Sequence, residues 1–506
     1  ADSGTVMDLG GTFDSIENLT GGSGVDTFTF ADGAGVTGTI DGGNGNDVFD
    51  YSAYTSNVGV DLQNSAATGV GAFAGIENFV GGTVADTLTG PDAGATWNIA
   101  GAGTGTVGAV AFAGFEHLTG GSGVDTFTFG IAGTVSGDID GGGSLDDTIV
   151  QTGGINSWTV SGADSGTVMD LGGTFDSIEN LTGGSGVDTF VISAGGSLSG
   201  NIDGGGDSDQ LDNADGANTW ILDGTNAGSV TDVAGTFVRI ENLTGGNSND
   251  SYELADGAEI TGTVDGGGGS DTVDYGQYTT GVNVNFTAGT ATNIGTVTDL
   301  ENIIGGQSHD TLAGDIGNNS MIGGPGDDTF VFADNWGADI VFNTVAGNDT
   351  LDFSAVTTDL TVNVGGNVTD GVNNVFVNTY DTIVGGSGTD ELVGPNANTV
   401  WDVTGAYNGS VDNIDFGEFE LLTGGSDVDT FNLAGANTFK GALDGGDHND
   451  LFVFGDQATV TGIVDGGPGP NDRLDYNAYT TVVNVDIFGG TATGTGGIAN
   501  IEMVVP

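Results

Sequence analysis

The chain has 506 residues, of which 70 are Asp or Glu and three are Lys or Arg, for a formal net charge of −67. That charge repels phosphate backbones and anionic lipid faces, so binding to nucleic acid or to a membrane surface is not expected. No apolar run approaches the roughly 18 residues a spanning helix needs. With 100 glycines, 37% hydrophobic residues and no cysteine, the composition suits a thin stack of coils, each burying a few side chains, better than one globular core.

Residues 1–28 recur unchanged at 163–190. Such repetition predicts an all-β fold, a right-handed parallel β-helix or β-roll-like solenoid of about 25 coils of about 20 residues. At the spacing between strands the stack would be roughly 120 Å long. One continuous solenoid is expected over 1–506, with submodules near 1–96, 97–157, 158–219, 220–400 and 401–506. Residue 1 matches position 163, inside a repeat, and Ile501-Glu502-Met503 stops where a glycine pair should follow. The expectation is therefore a piece of something longer, or a protomer whose ends are covered by neighbours, because uncapped ends expose strand edges.

Four coil types recur along the chain. A glutamate coil carries Ile16-Glu17-Asn18 and returns at Glu77, Glu179, Glu241 and Glu301. With so few cations available, these glutamates are expected to face solvent, and the asparagines that follow them to satisfy turn backbone. A second type reads [I/V/L]-D-G-G, at Asp41, Asp140, Asp203, Asp265, Asp444 and Asp465. A tyrosine coil begins at Asp50, Asp274 and Asp475, and its period-two runs, such as Val-Asn-Val-Asn-Phe, predict strands with one buried face. The fourth type opens on Trp97, Trp158, Trp220 or Trp401; core or corner packing is expected of these rings.

Residues 305–331 read GGQSHDTLA, GDIGNNSMI and GGPGDDTFV, three nine-residue units in tandem. Paired glycines allow a turn where a side chain would clash. The turn offers carbonyl oxygens, and an Asp carboxylate completes a hard-oxygen site for Ca²⁺. With the run-out through 337–354, this segment resembles the RTX, or hemolysin-type calcium-binding, repeat proteins, and the glycine turns and tyrosine coils extend the resemblance over most of the chain.

The resemblance implies calcium held between stacked turns, each giving an Asp and backbone carbonyls. Carried onto this chain, the ligands would be Asp310 and Asp328, with Gly323, Gly324 and Gly326 shaping the turn. Further pairs would be Asp26 with Asp47, Asp125 with Asp147, Asp188 with Asp209, Asp250 with Asp271, and Asp429 with Asp450 and Asp472. Most coils have 20–21 residues and one glycine turn, where the family's usual coil has 18 and two, so the turns are expected along one flank only.

Nothing in the chain assembles into a catalytic group: there is no Cys nucleophile, GxSxG, HExxH or phosphate loop. His117 and His309 sit at variable places of the repeats. The overall expectation is a secreted, extracellular, non-catalytic structural protein stiffened by calcium ions. It would be a self-associating filament, surface-layer element or stalk, or else the repeat region of a large RTX-type adhesin attaching to a cell surface or polysaccharide. A calcium-dependent polysaccharide-acting enzyme and an ice-binding protein are weaker alternatives.

Overall fold

The computed structural model describes residues 3–6, 11–214, 216–343 and 347–506. Among the described residues the regular elements are all short strands, and no helix is long and apolar enough to cross a membrane. The chain forms two compact units, Ala1–Tyr252 with Ala258–Gly269, and Glu253–Gly257 with Ser270–Pro506. Each is an all-β solenoid whose strands stack, mostly in parallel, into two sheets.

Alternation builds these strands. In Thr126–Phe129 both phenylalanines are buried and both threonines are half-buried, as a period of two requires of a strand with one face inward. Phe127 lies in register with Ile149, and Ile149 with Leu181. In the other sheet of unit 1, Leu88 is in register with Leu118, and Leu118 with Ile139. Inward columns of this kind make the thin core.

The path is more than a coil. Thr96–Gly101 pairs antiparallel with Thr104–Val107, which pairs antiparallel with Val110–Ala113. The first strand of this triple also pairs in parallel with the later Thr126–Phe129, and the third with the earlier Asn78–Val80. The chain thus runs ahead along the stack, folds back to fill the skipped levels, and resumes. Gly59–Asp61, Ser157–Gly162 and Thr219–Gly224 open equivalent triples in unit 1. Asn283–Asn285, Thr361–Asn363 and Val400–Val403 do so in unit 2.

These are the tryptophan and tyrosine coils, which the sequence presents as ordinary turns of a helix. Alternation reads the same in parallel and antiparallel strands, so it does not reveal the reversal. The tight turns do. Asp412 and Asn413 both take left-handed φ, 47° and 68°, as a two-residue hairpin connection demands.

Each tryptophan reversal stacks its indole on an aromatic ring of the next level. Trp97 stacks on Phe127 of the next level, with centroids 5.3 Å apart, and meets Phe112 edge-on at 6.0 Å. Trp401 repeats the arrangement with Phe431 and Phe416. The middle strand carries a glycine where the phenylalanine ring lies across it: a Cβ on Gly166 would sit 2.8 Å from Cζ of Phe175, and one on Gly105 2.9 Å from that of Phe112. In the tyrosine reversals the hydroxyls of Tyr51, Tyr275 and Tyr476 donate to the carbonyls of Thr68, Thr292 and Thr493 at 2.6–2.8 Å. The rings are core, as the sequence suggested.

Candidate functional site

The aspartates at the sixth place of the glycine turns, or at the seventh for Asp147 and Asp472, point inward, and nearly all are buried. They stack. The N–H of Asp26 donates to Oδ1 of Asp47 at 2.7 Å, that of Asp125 to Asp147, and that of Asp188 to Asp209, both also at 2.7 Å. In unit 2 Asp310 donates to Asp328 at 2.9 Å, Asp429 to Asp450 at 2.7 Å, and Asp450 to Asp472 at 2.7 Å. The pairs drawn from the sequence within each unit are therefore vertical neighbours. Asp250 belongs to unit 1, where its Oδ1 accepts the N–H of Asn218, and Asp271 belongs to unit 2.

A glutamate ends most of these stacks, whereas the Asp310–Asp328 stack runs on through Asp349 and ends on Oδ2 of Asp381 at 3.0 Å. The N–H of Asp47 donates to Oε2 of Glu77, Asp147 to Glu179, Asp209 to Glu241, Asp271 to Glu301 and Asp472 to Glu502, all at 2.7–2.9 Å. The expectation that these glutamates are simply solvated is corrected for Glu77, Glu179, Glu241 and Glu301, while Glu17 is exposed. The longer arm lets a residue of the next level reach the N–H that an aspartate would otherwise accept, and Glu179 is only 2% exposed. The following asparagine donates to the same aspartate's carbonyl, as Asn242 does to Asp209 at 3.1 Å. His117 and His309 use Nδ1 to accept the N–H of Asp138 and Asp327 in the next level, a role that Asn242 Oδ1 plays for Thr263.

The reversals also move the stacks. In unit 1, Asp26, Asp47 and Glu77 lie on the flank leading from the sheet of Leu118 to the sheet of Phe127, and Asp86 and Glu116 on the returning flank. Asp125, Asp147 and Glu179 are back on the first flank; Asp188, Asp209 and Glu241 return to the other. The single flank expected from coil length is replaced by short stacks on alternating flanks.

Two turn geometries occur. In one, the Asp Oδ2 accepts the N–H of the second glycine: Gly22 to Asp26 at 2.6 Å, Gly121 to Asp125 at 3.0 Å, Gly306 to Asp310 at 2.6 Å and Gly425 to Asp429 at 2.7 Å. Asp86 and Asp390, which the sequence reading passed over, are held likewise by Gly82 and Gly386. Asp390 ends a full Gly385-Gly-x-Gly-x-Asp, a signal that was present. In the second geometry Oδ2 is buried and has no hydrogen-bond partner: Asp47, Asp147, Asp188, Asp209, Asp328, Asp450 and Asp472. Burial pushes the carboxyls of Asp147, Asp188, Asp328 and Asp472 up to about 6, and those of Asp209 and Asp450 up to about 7.

A buried carboxylate oxygen without a partner calls for a proton or a cation. Among the described residues no three His, Cys, Asp or Glu side chains gather as a metal site, so an ion here would draw most of its shell from main-chain carbonyls. A hard cation accepts such a set: one or two carboxylate oxygens and several carbonyls suit Ca²⁺. The donors present fit that ion.

Neither the protein-family models nor the curated proteins compared with the chain match it.

Proposed function

We propose that this is an extracellular, non-catalytic structural solenoid whose folded state is stabilised by Ca²⁺ in its aspartate turns. The observation that supports it is the buried Oδ2 of Asp47, Asp147, Asp188, Asp209, Asp328, Asp450 and Asp472, which have no hydrogen-bond partner among the described residues, in a chain with three Lys and Arg residues. The protein's own cations are too few to neutralise them, so the countercharge must come from solution. Asp47, Asp147, Asp188, Asp209, Asp328, Asp450 and Asp472 would hold ions at their turns together with turn carbonyls, and the bound charge would offset their desolvation. Binding to the folded state alone stabilises it by mass action. Where calcium is scarce the acid-crowded turns repel one another, and where it is abundant, outside a cell, the stack sets. The resemblance to RTX repeats supports the same reading and keeps the adhesin repeat region as its nearest variant.

The test is a calcium titration of the EGTA-treated protein followed by circular dichroism and thermal melting, with magnesium as the control. The expected result is a rise in melting temperature with calcium that EGTA reverses. Equal stability in EGTA and in millimolar calcium would refute it.

A further inference from the structure

The closing aspartates of the glycine turns, at the sixth place or, for Asp147 and Asp472, the seventh, look alike in sequence but not in space, and one backbone angle separates them. In all seven turns with an unpartnered Asp Oδ2, the second glycine is left-handed: φ is 90° at Gly43, 104° at Gly142, 110° at Gly184, 99° at Gly205, 94° at Gly324, 84° at Gly446 and 79° at Gly467. In the six turns where that oxygen takes a main-chain N–H, the second glycine (Gly22, Gly82, Gly121, Gly306, Gly386, Gly425) is outside the left-handed region.

We infer that the second glycine sorts the turns into cation-taking and cation-free classes, with Asp147, Asp450 and the other unpartnered aspartates as ligands and Asp125, Asp429 and their like as backbone clamps. The inference rests on the calcium reading above and deepens it. In the clamp class both carboxylate oxygens are already engaged: Asp429 Oδ1 accepts the N–H of Thr399 at 2.9 Å while Oδ2 accepts that of Gly425 at 2.7 Å. A carboxylate holding two main-chain donors has little left to offer an ion. In the other class the glycine N–H is turned away, leaving Oδ2 bare in a site less than 2% exposed.

The sequence supplies a device that turns it away. In the D-G-G coils the first Asp captures the second glycine's N–H itself. Asp41, Asp140, Asp203, Asp444 and Asp465 accept from Gly43, Gly142, Gly205, Gly446 and Gly467 at 3.0–3.1 Å. That bond holds the left-handed turn and frees the later carboxylate, so these aspartates are positioning residues. Gly184 and Gly324 reach the same φ without one, which makes the angle, and not the preceding residue, the common feature. Only glycine takes that angle without strain, and a Cβ on Gly142 would run into the carbonyl oxygen of Gly121.

The experiment counts calcium bound per full-length chain by equilibrium dialysis, with circular dichroism to verify the fold of each variant. Asp147→Asn and Asp450→Asn are each expected to lower the count, whereas Asp125→Asn and Asp429→Asn leave it unchanged. Asp140→Ala should weaken binding about tenfold at its turn, and Asp140→Asn, which keeps an acceptor, should restore it. Equal losses from Asp125→Asn and Asp147→Asn, or none from Asp147→Asn, would overturn the sorting while leaving calcium binding intact. A wild-type chain that binds no calcium would remove the proposed function and this inference together. Two pairs in different units protect the outcome against local misfolding in one.

Discussion

The main-chain N–H of Asp147 ends on Oε2 of Glu179, 2.7 Å away and 32 residues further along the chain. Below it, Asp125 donates to Asp147 at 2.7 Å, so one buried line of charge-assisted bonds ties three levels of the solenoid together. The acceptor oxygen does most of the structural work and its charge adds to it. Glu179→Ala leaves a buried N–H unsatisfied and is expected to cost about 1–3 kcal/mol, while Glu179→Gln keeps the oxygen and should stay close to wild type. Urea unfolding of the two variants in calcium separates them.

Acidity should act in opposite directions with and without calcium. In EGTA, burial holds Asp147, Asp188, Asp328 and Asp472 at about 6 and Asp209 and Asp450 at about 7, above the roughly 3.9 of an unfolded chain. The folded state then binds these protons more tightly than the unfolded state. Their contribution is fully present below about pH 4 and is lost as pH rises through 6 and 7. The calcium-free protein should therefore unfold at higher urea at pH 5.5 than at pH 8. In excess calcium protons compete with the ion, and the same comparison should favour pH 8. Urea midpoints at the two pH values, with calcium and with EGTA, check both signs.

The parts of this arrangement that sequence made legible are those set by local chemistry. Phe127 and Phe129 alternate with threonines, and Asp125 and Asp147 fall one coil apart, so strands and vertical pairs could be read directly. What was hidden depends on direction. The run Thr-Trp-Asn-Ile-Ala-Gly at 96–101 alternates equally well in either sense, and nothing in it says that the chain turns back at Gly103. For the glutamates the sequence suggests solvation or a lateral metal contact, because nothing local to Ile-Glu-Asn points to a main-chain N–H one level away. Asp32, Asp256, Asp334 and Asp456 went unnoticed for a similar reason. They accept the hydroxyls of Thr55, Thr279, Thr357 and Thr480, holding the entry to each tyrosine or phenylalanine coil across more than 20 residues.

The reversals make a last, separate prediction. Gly166 lies opposite Phe175 in the antiparallel part of the Trp158 triple, and the ring takes the space a side chain would need. Gly166→Val would push the ring out of that place and collide with the carbonyl of Thr159, an overpacking expected to cost about 1–3 kcal/mol. Gly24 of the same unit, where an added Cβ would meet nothing within 4 Å, serves as the comparison. Because each level of a solenoid contacts mainly its neighbours, the damage should remain local. Hydrogen exchange should quicken in 157–176 and in the adjoining Thr189–Ile192, while Thr430–Leu433 in unit 2 keeps its protection. Uniform loss of protection across both units would mean that the levels unfold as one cooperative block and that the reversals are not independent packing modules.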